Sequence, residues 1–209
     1  MKKNRSSDTP KLPDDNSLEI KSIEHPFKLS SLKDEKLKEL IVDTINAMGA
    51  FGDNAEKQYQ RYLKQLAKME ISVDVLQDEY SSLKESQYLD KWSIVQLASD
   101  LSNERNLTFF DRVIKEKIPK EKSKKPHSFS TVAEEVIIRT TAIDGICKLA
   151  AKGNKKAINS LLGHVDNENF SIKRAAVQAY TEVGGKNAME ILKKQLPKKF
   201  HSILEIKRT

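Results

Sequence analysis

The sequence predicts an all-α fold of antiparallel helix pairs, about nine or ten helices in all. Beyond residue 30, apolar residues recur at spacings of three and four, which is the period of one helix face. All six prolines, at positions 10, 13, 26, 119, 126 and 197, lie outside these periodic stretches. One periodic stretch also occurs twice at a constant offset, which is typical of repeated helix pairs.

The clearest helix pair lies between residues 171 and 197. The first helix carries an apolar stripe of small and branched side chains: Ile172, Ala175, Ala176, Ala179 and Val183. Gly184 and Gly185 end it, because glycine enters the left-handed cap conformation without a steric penalty. A second stripe, which Pro197 stops, follows: Ala188, Met189, Leu192 and Leu196. Such a pair must bury its apolar faces against a neighbour, so the sequence should contain further pairs.

A second copy of this pattern lies upstream at a constant offset of 34 residues, which places Ala142 against Ala176. The upstream positions that match apolar or small residues are Ile138, Ala142, Ile143, Gly145, Ile146 and Leu149. Its partner helix follows Gly153-Asn154 and has the apolar residues Ala157, Ile158, Leu161, Leu162 and Val165. At an offset of 48, Val95 and Leu101 match Ile143 and Leu149, which indicates an earlier, degenerate repeat.

Residues 171–185 resemble the first helix of a HEAT repeat, whose units read roughly apolar-basic-x-x-Ala-apolar-x-Ala-apolar-x-x-apolar-Gly. The resemblance implies a right-handed α-α superhelix, or solenoid, of HEAT-like antiparallel pairs. It also implies that the second helix of each pair lines a concave groove. An unrelated helical bundle is the alternative to this fold.

We predict four regions along the chain. They are an extended N-terminal leader (1–30), an N-terminal helical region ending in the degenerate repeat (31–118), a basic loop (119–130), and two HEAT-like repeats with a C-terminal cap (131–209). Helix starts are predicted where hydroxyl or carboxylate side chains precede apolar stripes. The predicted capping positions are Ser30-Ser31, Asp53 with Glu56, Ser72, and Ser130-Thr131 with Glu134. The fifth helix is predicted to run to Ile118, where Pro119 closes it.

The net charge of +7 is unevenly distributed along the chain. Residues 1–118 contain 19 Lys and Arg against 21 Asp and Glu, whereas residues 119–209 contain 18 against 9. The repeat half is therefore basic, and it suits an acidic partner. The single Cys147 fits a reducing compartment, and the absence of a long apolar run predicts no membrane partner. We therefore expect a cytoplasmic protein.

The sequence argues against catalysis and predicts no cofactor. The four histidines, at positions 25, 127, 164 and 201, do not occur at metal-ligand spacing. Cys147 lies on the apolar side of its helix, where a buried thiol is the usual role. Trp92 is interpreted as a contact between helices. Asp90-Lys91-Trp92 faintly resembles the site of HEAT-like DNA-alkylation-repair glycosylases, but the further aromatic residues that a flipped base requires are missing.

Basic residues recur at the polar positions of the second helix in each pair. If the pairs lie in register, these groups form one basic ridge along the groove: Arg112, Lys115, Lys155, Lys156, Asn159, Lys186, Lys193 and Lys194. The competing interpretation is ordinary solvation, since lysine is common on any exposed helix face. Arg139 and Arg174, in the first helices, are expected to make bonds within a repeat rather than to contact a ligand.

These features predict a non-catalytic protein-interaction module that binds an acidic protein partner in the basic groove. An adaptor, an assembly factor or an immunity-type inhibitor would each fit. The first alternative is nucleic-acid binding through phosphate contacts, which would make affinity steeply salt-dependent. The second alternative is a HEAT-like DNA-alkylation-repair glycosylase.

Overall fold

The computed structural model describes residues 34–52, 54–120 and 131–205, and within these ranges the chain is helical and contains no strand. The helices are α1 (Glu35–Met48), α2 (Ala55–Leu66), α3 (Ile71–Ser82), α4 (Tyr88–Leu101), α5 (Leu107–Lys115), α6 (Val132–Ala151), α7 (Lys155–His164), α8 (Phe170–Val183) and α9 (Ala188–Gln195). Short 3-10 helices occupy Glu104–Asn106 and Lys198–Glu205. The predicted leader, 1–30, and residues 121–130 of the predicted basic loop lie outside the described residues.

The predicted helix starts are partly correct. Thr131 and Glu134 form the predicted capping box of α6, in which each side chain bonds the other residue's backbone amide. Asp34 caps α1 through the amide of Leu37 (3.2 Å), while Ser30 and Ser31 lie outside the described residues. The prediction for Ser72 is wrong, because α3 begins before it and its buried hydroxyl donates to the carbonyl of Leu66 (3.2 Å). The predicted cap Asp53 is likewise outside the described part.

Helices α4, α6 and α8 form one row, in which α6 contacts both neighbours. The Trp92 indole of α4 donates to the hydroxyl of Thr141 on α6 (3.2 Å), and Lys148 of α6 pairs with Asp100 of α4. Later residues of α4 therefore meet later residues of α6, which means that the two helices run parallel. The α1–α2 pair adjoins this row, and the Tyr59 hydroxyl of α2 donates to Asp100 (2.6 Å).

Helices α3, α5, α7 and α9 form a second row, joined by polar side-chain contacts at each junction. Arg112 of α5 donates to the Ser81 hydroxyl of α3 (3.2 Å). Ser160 of α7 donates to Asp111 of α5 (2.6 Å), and Gln195 of α9 donates to the carbonyl of Leu162 in α7 (3.1 Å). The two rows pack together, since α5 contacts α6 while α7 contacts both α6 and α8.

The apolar stripes predicted for the two repeats face the core. Ile138, Ala142, Ile143 and Ile146 in α6 are buried, and so are Ile172, Ala176, Val177 and Tyr180 at the matching positions of α8. One continuous cluster of buried side chains runs from Leu37 in α1 to Ile203 after α9. Burial of the periodic stripes is the main source of stability for helices this short.

One helix end differs from the predictions, whereas a short helix does follow α9, where the C-terminal cap was predicted. Helix α5 ends at Lys115 rather than at Ile118, because Glu116 turns into an extended conformation and its carbonyl accepts hydrogen bonds from the Arg139 guanidinium. The C-terminal segment Lys198–Glu205, predicted as one more short helix over the open end, is a 3-10 helix that contacts α8 and α9 and buries Ile203.

Candidate functional site

All eight residues of the predicted basic ridge are exposed. Seven of them belong to α5, α7 and α9, which are neighbours in the second row. The eighth, Lys186, lies in the turn that leads into α9. The structure therefore places the carriers of the ridge side by side, with the polar face of each helix turned away from its buried face.

Local contacts already engage part of this ridge. Arg112 donates to Ser81 and lies over the Phe109 ring, with 5.5 Å between the guanidinium carbon and the ring centroid. Lys194 forms an ion pair with Glu190 at 2.6 Å. By contrast, Lys155 and Lys156 at the start of α7 form no ion pair within the described ranges. The same holds for Lys115, Lys186 and Lys193, so most of the positive charge of the ridge is available to a partner.

A partly buried acidic contact joins α5 to α7. Asp111 accepts a hydrogen bond from Ser160 (2.6 Å), and the same oxygen lies 2.7 Å from Nε2 of the buried His164. Burial alone would raise the pKa of Asp111. The hydrogen bonds from His164 and Ser160, helped by the charges of His164 and Lys115, outweigh burial and hold that pKa below its usual value.

Ser, His and Asp side chains thus meet, but not in the order that nucleophilic catalysis requires. In a hydrolase triad the histidine lies between the serine and the carboxylate, where it can accept the serine proton. Here both Ser160 and His164 bind Oδ1 of Asp111. The Ser160 hydroxyl donates its hydrogen bond to the carboxylate and not to a histidine nitrogen. This arrangement therefore joins α7 to α5.

Other residues singled out in the sequence have structural contacts. Trp92 bridges α4 and α6 as predicted, and Arg139 forms the predicted bond within its repeat, a 2.7 Å ion pair with Glu135. Cys147 is buried, with its sulfur 4.0 Å from the carbonyl of Ala179. Arg174 is exposed on α8, and the bond predicted for it within its repeat is not among the described contacts.

No family model, curated protein or solved structure matches this chain. Over the described ranges, no helix is both long and apolar enough to cross a membrane. The same residues bring together no group of three or more histidine, cysteine or acidic side chains that could hold a metal ion.

A second basic surface, on α2, was not predicted. Three exposed cations of α2, namely Lys57, Arg61 and Lys64, follow one another at spacings of four and three residues, which places them on one helix face, and a fourth, Lys68, lies in the turn after the helix. We call this set the α2 stripe. The opposite face of α2 packs inward through Tyr59 and Leu66. Counting charge over residues 1–118 concealed the stripe, because that half has slightly more acidic than basic residues. A periodicity count applied to charge rather than to apolar residues would have found it.

Proposed function

We propose that this chain is a non-catalytic interaction module, an α-solenoid of HEAT-like helix pairs whose basic ridge binds an acidic protein partner. The solenoid supplies a rigid surface and no chemistry of its own. In the cell it would act as an adaptor, an assembly factor or an immunity-type inhibitor within the cytoplasm.

The arrangement of helices supports the solenoid part of this proposal. In a solenoid each pair contacts its sequence neighbours, so equivalent helices lie side by side and run parallel. Contacts between α4 and α6 join residues 48 to 50 apart, as Lys148–Asp100 and Lys152–Ser102 do. The contact from α7 to α9 spans 33 residues, close to the 34-residue offset of the sequence repeat.

The observation that carries the proposed binding function is the continuity of the second row. Polar contacts fasten α5 to α7 and α7 to α9, so their outward faces form a surface of fixed geometry. That surface is rich in lysine, with Lys155, Lys156 and Lys193 exposed. A fixed array of like charges favours association with a surface of the opposite sign and raises the association rate more than the final affinity. An acidic protein is therefore the expected partner.

Charge reversal of four ridge lysines tests this proposal, with the substitutions Lys155→Glu, Lys156→Glu, Lys193→Glu and Lys194→Glu. The tagged wild-type chain should retain specific proteins from the native cell extract, and those proteins should be acidic and released by moderate salt. Retention by the ridge variant should fall by about ten-fold or more, because attraction becomes repulsion.

The matched control reverses the four cations of the α2 stripe, which changes the net charge by the same amount. Circular dichroism establishes that both variants keep their helices. If the ridge variant retains the same proteins as the wild type, or if the α2 control loses them equally, the ridge does not select the partner.

A further inference from the structure

The α2 stripe differs from an ordinary solvated helix face in its charge pattern. Solvated helices commonly place acids and bases three or four residues apart, where opposite charges stabilise the helix and like charges destabilise it. In the stripe, Lys57 and Arg61 are four apart, Arg61 and Lys64 three apart, and Lys64 and Lys68 four apart. Every neighbouring pair therefore repels, and helix stability does not explain the arrangement.

No acidic residue relieves this repulsion in the described part of the chain. The four cations form no ion pair there, and the only acid within α2, Glu56, accepts a hydrogen bond from Gln60 (2.9 Å). Arg61 lies over the Tyr62 ring, 5.1 Å from its centroid, which leaves its guanidinium donors available to another group. From Lys57 to Lys64 the stripe is thus a line of uncompensated positive charge about 10 Å long, given the rise of an α-helix, and Lys68 follows in the turn after α2.

The neighbours of the stripe indicate the class of partner. Amide side chains flank it at Asn54, Gln58 and Gln65, all of them exposed. Near the start of α2, an open depression of about 380 Å³ is lined by Asn54, Lys57, Gln58 and Arg61. Lysine, arginine, asparagine and glutamine are the side chains that contact phosphate and sugar in protein–nucleic-acid complexes.

Other polyanionic partners fit this face less well. A protein–protein interface has an apolar or aromatic centre, and binding to a membrane surface gains from apolar side chains that enter the lipid. The exposed face of α2 offers cations and amides, and its apolar side chains Tyr59 and Leu66 are buried. A nucleic acid also releases a condensed counterion for each phosphate that the stripe neutralises, which favours binding at low salt.

We propose that the α2 stripe binds the phosphodiester backbone of a nucleic acid, without reading its sequence. The three cations aligned along α2 and Lys68 in the turn after it would each contact a phosphate, and the flanking amides would donate to phosphate or sugar oxygens. This site is separate from the basic ridge, so the chain would present two basic surfaces with different partners.

Fluorescence anisotropy with a labelled 20-base-pair DNA duplex of arbitrary sequence tests the assignment. Four phosphate contacts predict a slope of about −3.6 in a plot of log association constant against log salt concentration. Affinity should therefore fall by about 150-fold between 50 and 200 mM salt. A duplex of unrelated sequence should bind equally well.

The decisive variant replaces all four stripe cations with glutamine: Lys57→Gln, Arg61→Gln, Lys64→Gln and Lys68→Gln. Glutamine keeps the helix propensity and removes like-charge repulsion, so the thermal midpoint should not decrease. Binding at 50 mM salt should fall by at least about 50-fold, and the salt slope should flatten by about three or more. The matched control carries glutamine at Lys155, Lys156, Lys193 and Lys194 of the ridge, and it should bind the duplex as the wild type does.

Three outcomes would overturn the assignment. One is a wild-type chain that does not bind the duplex at 50 mM salt. Another is a stripe variant that binds like the wild type, or a ridge variant that loses as much binding as the stripe variant. The third is stripe-dependent binding of equal strength to poly-glutamate or to phosphatidylserine vesicles, which would assign the surface to an acidic protein or to lipid. Because the variants of the two surfaces are measured separately, failure here leaves the test of the ridge intact.

Discussion

The Arg139 guanidinium donates to the Glu135 carboxylate across 2.7 Å, and both side chains are almost fully buried, at 1 % and 6 % of their exposed area. The same guanidinium also donates to the carbonyls of Glu135 (2.8 Å) and Glu116 (2.9 and 3.1 Å). One arginine therefore holds its own helix and the end of α5 together. The contact of Arg139 with the Glu116 carbonyl explains why α5 ends at Lys115 and where the chain turns towards the predicted basic loop.

We expect Arg139→Met to lower the free energy of unfolding by about 3–5 kcal/mol, because it leaves the buried Glu135 carboxylate without its charge partner. Glu135→Met should be less harmful, since Arg139 keeps its carbonyl acceptors. The double variant should be more stable than Arg139→Met alone, because it removes the orphaned charge. Urea denaturation of the three variants gives these differences directly.

The exposed pair of Arg105 and Asp74 is the matched control. Its two side chains are 49 % and 56 % exposed, so Arg105→Met should change stability by less than about 1 kcal/mol. If Arg105→Met lowered the free energy of unfolding as much as Arg139→Met does, burial would not be the reason that the Arg139–Glu135 pair stabilises the protein.

Gly145 is predicted to resist substitution because α5 packs directly against it. A Cβ atom at this position would lie 2.6 Å from Cζ of Phe110, a buried ring in the core. We expect Gly145→Ala to cost about 1–3 kcal/mol through overpacking, even though alanine favours helix. Thermal and urea denaturation would measure the change.

Gly163, in the neighbouring helix α7, provides the contrasting substitution. A Cβ there meets nothing within 4 Å, and the residue is exposed near the end of α7. Gly163→Ala should therefore stabilise the protein by about 0.5 kcal/mol through helix propensity alone. If both variants moved stability in the same direction, close packing of α5 on α6 would not be the cause.

The apolar stripes could be predicted from the sequence, but the contacts between the helices that carry them could not. Ile138 and Ile172 lie 34 residues apart in similar apolar patterns, and both are buried because helical period and burial are coupled. The contact of Asp111 with His164 spans 53 residues, and nothing local in the sequence specifies it. It depends on how one helix pair lies on the next, which is decided by packing of the whole core.

The two basic surfaces also differ in whether they were predicted from the sequence. Lys155 and Lys193 were predicted to share a surface because both lie on second helices, which the resemblance to HEAT repeats places along one groove. The α2 stripe was not predicted, since α2 lies outside the recognisable repeats and carries only its own period of charge. The spacing of these cations is present in the sequence, but the near balance of charge in residues 1–118 concealed it.

Two buried tyrosines should fail to titrate in the folded protein. Burial, followed by the hydrogen bond to Asp100 (2.6 Å), raises the pKa of Tyr59 far above its ordinary value. Burial, followed by the charge and hydrogen bond of Glu116 (2.8 Å), does the same for the pKa of Tyr80. Because the folded pKa values are raised, the stability that these groups contribute is complete below about pH 10 and is lost as pH rises above it.

Absorbance at the phenolate wavelength, recorded from pH 8 to 12, measures this effect. The contributions of Tyr59 and Tyr80 should emerge only together with the loss of helical circular dichroism. Tyr59→Phe and Tyr80→Phe should therefore leave the titration of the folded protein unchanged and reduce only the step at unfolding. A reduced signal before unfolding would place the phenol concerned in contact with solvent.

Asp111 should make stability depend on pH at the acidic end. Its folded pKa lies below the ordinary value near 4, so its contribution is complete above about pH 4 and disappears as pH falls through the lower folded pKa. Asp111→Asn removes the charge that Ser160 and His164 bind, and it should cost about 1–2 kcal/mol at neutral pH. The difference in free energy of unfolding between wild type and Asp111→Asn should then shrink between pH 4 and pH 2.5, because protonation makes the two side chains alike. A difference that stayed constant across that range would mean that the α5–α7 junction does not depend on the ionised carboxylate, and the fixed geometry of the basic ridge would need another source.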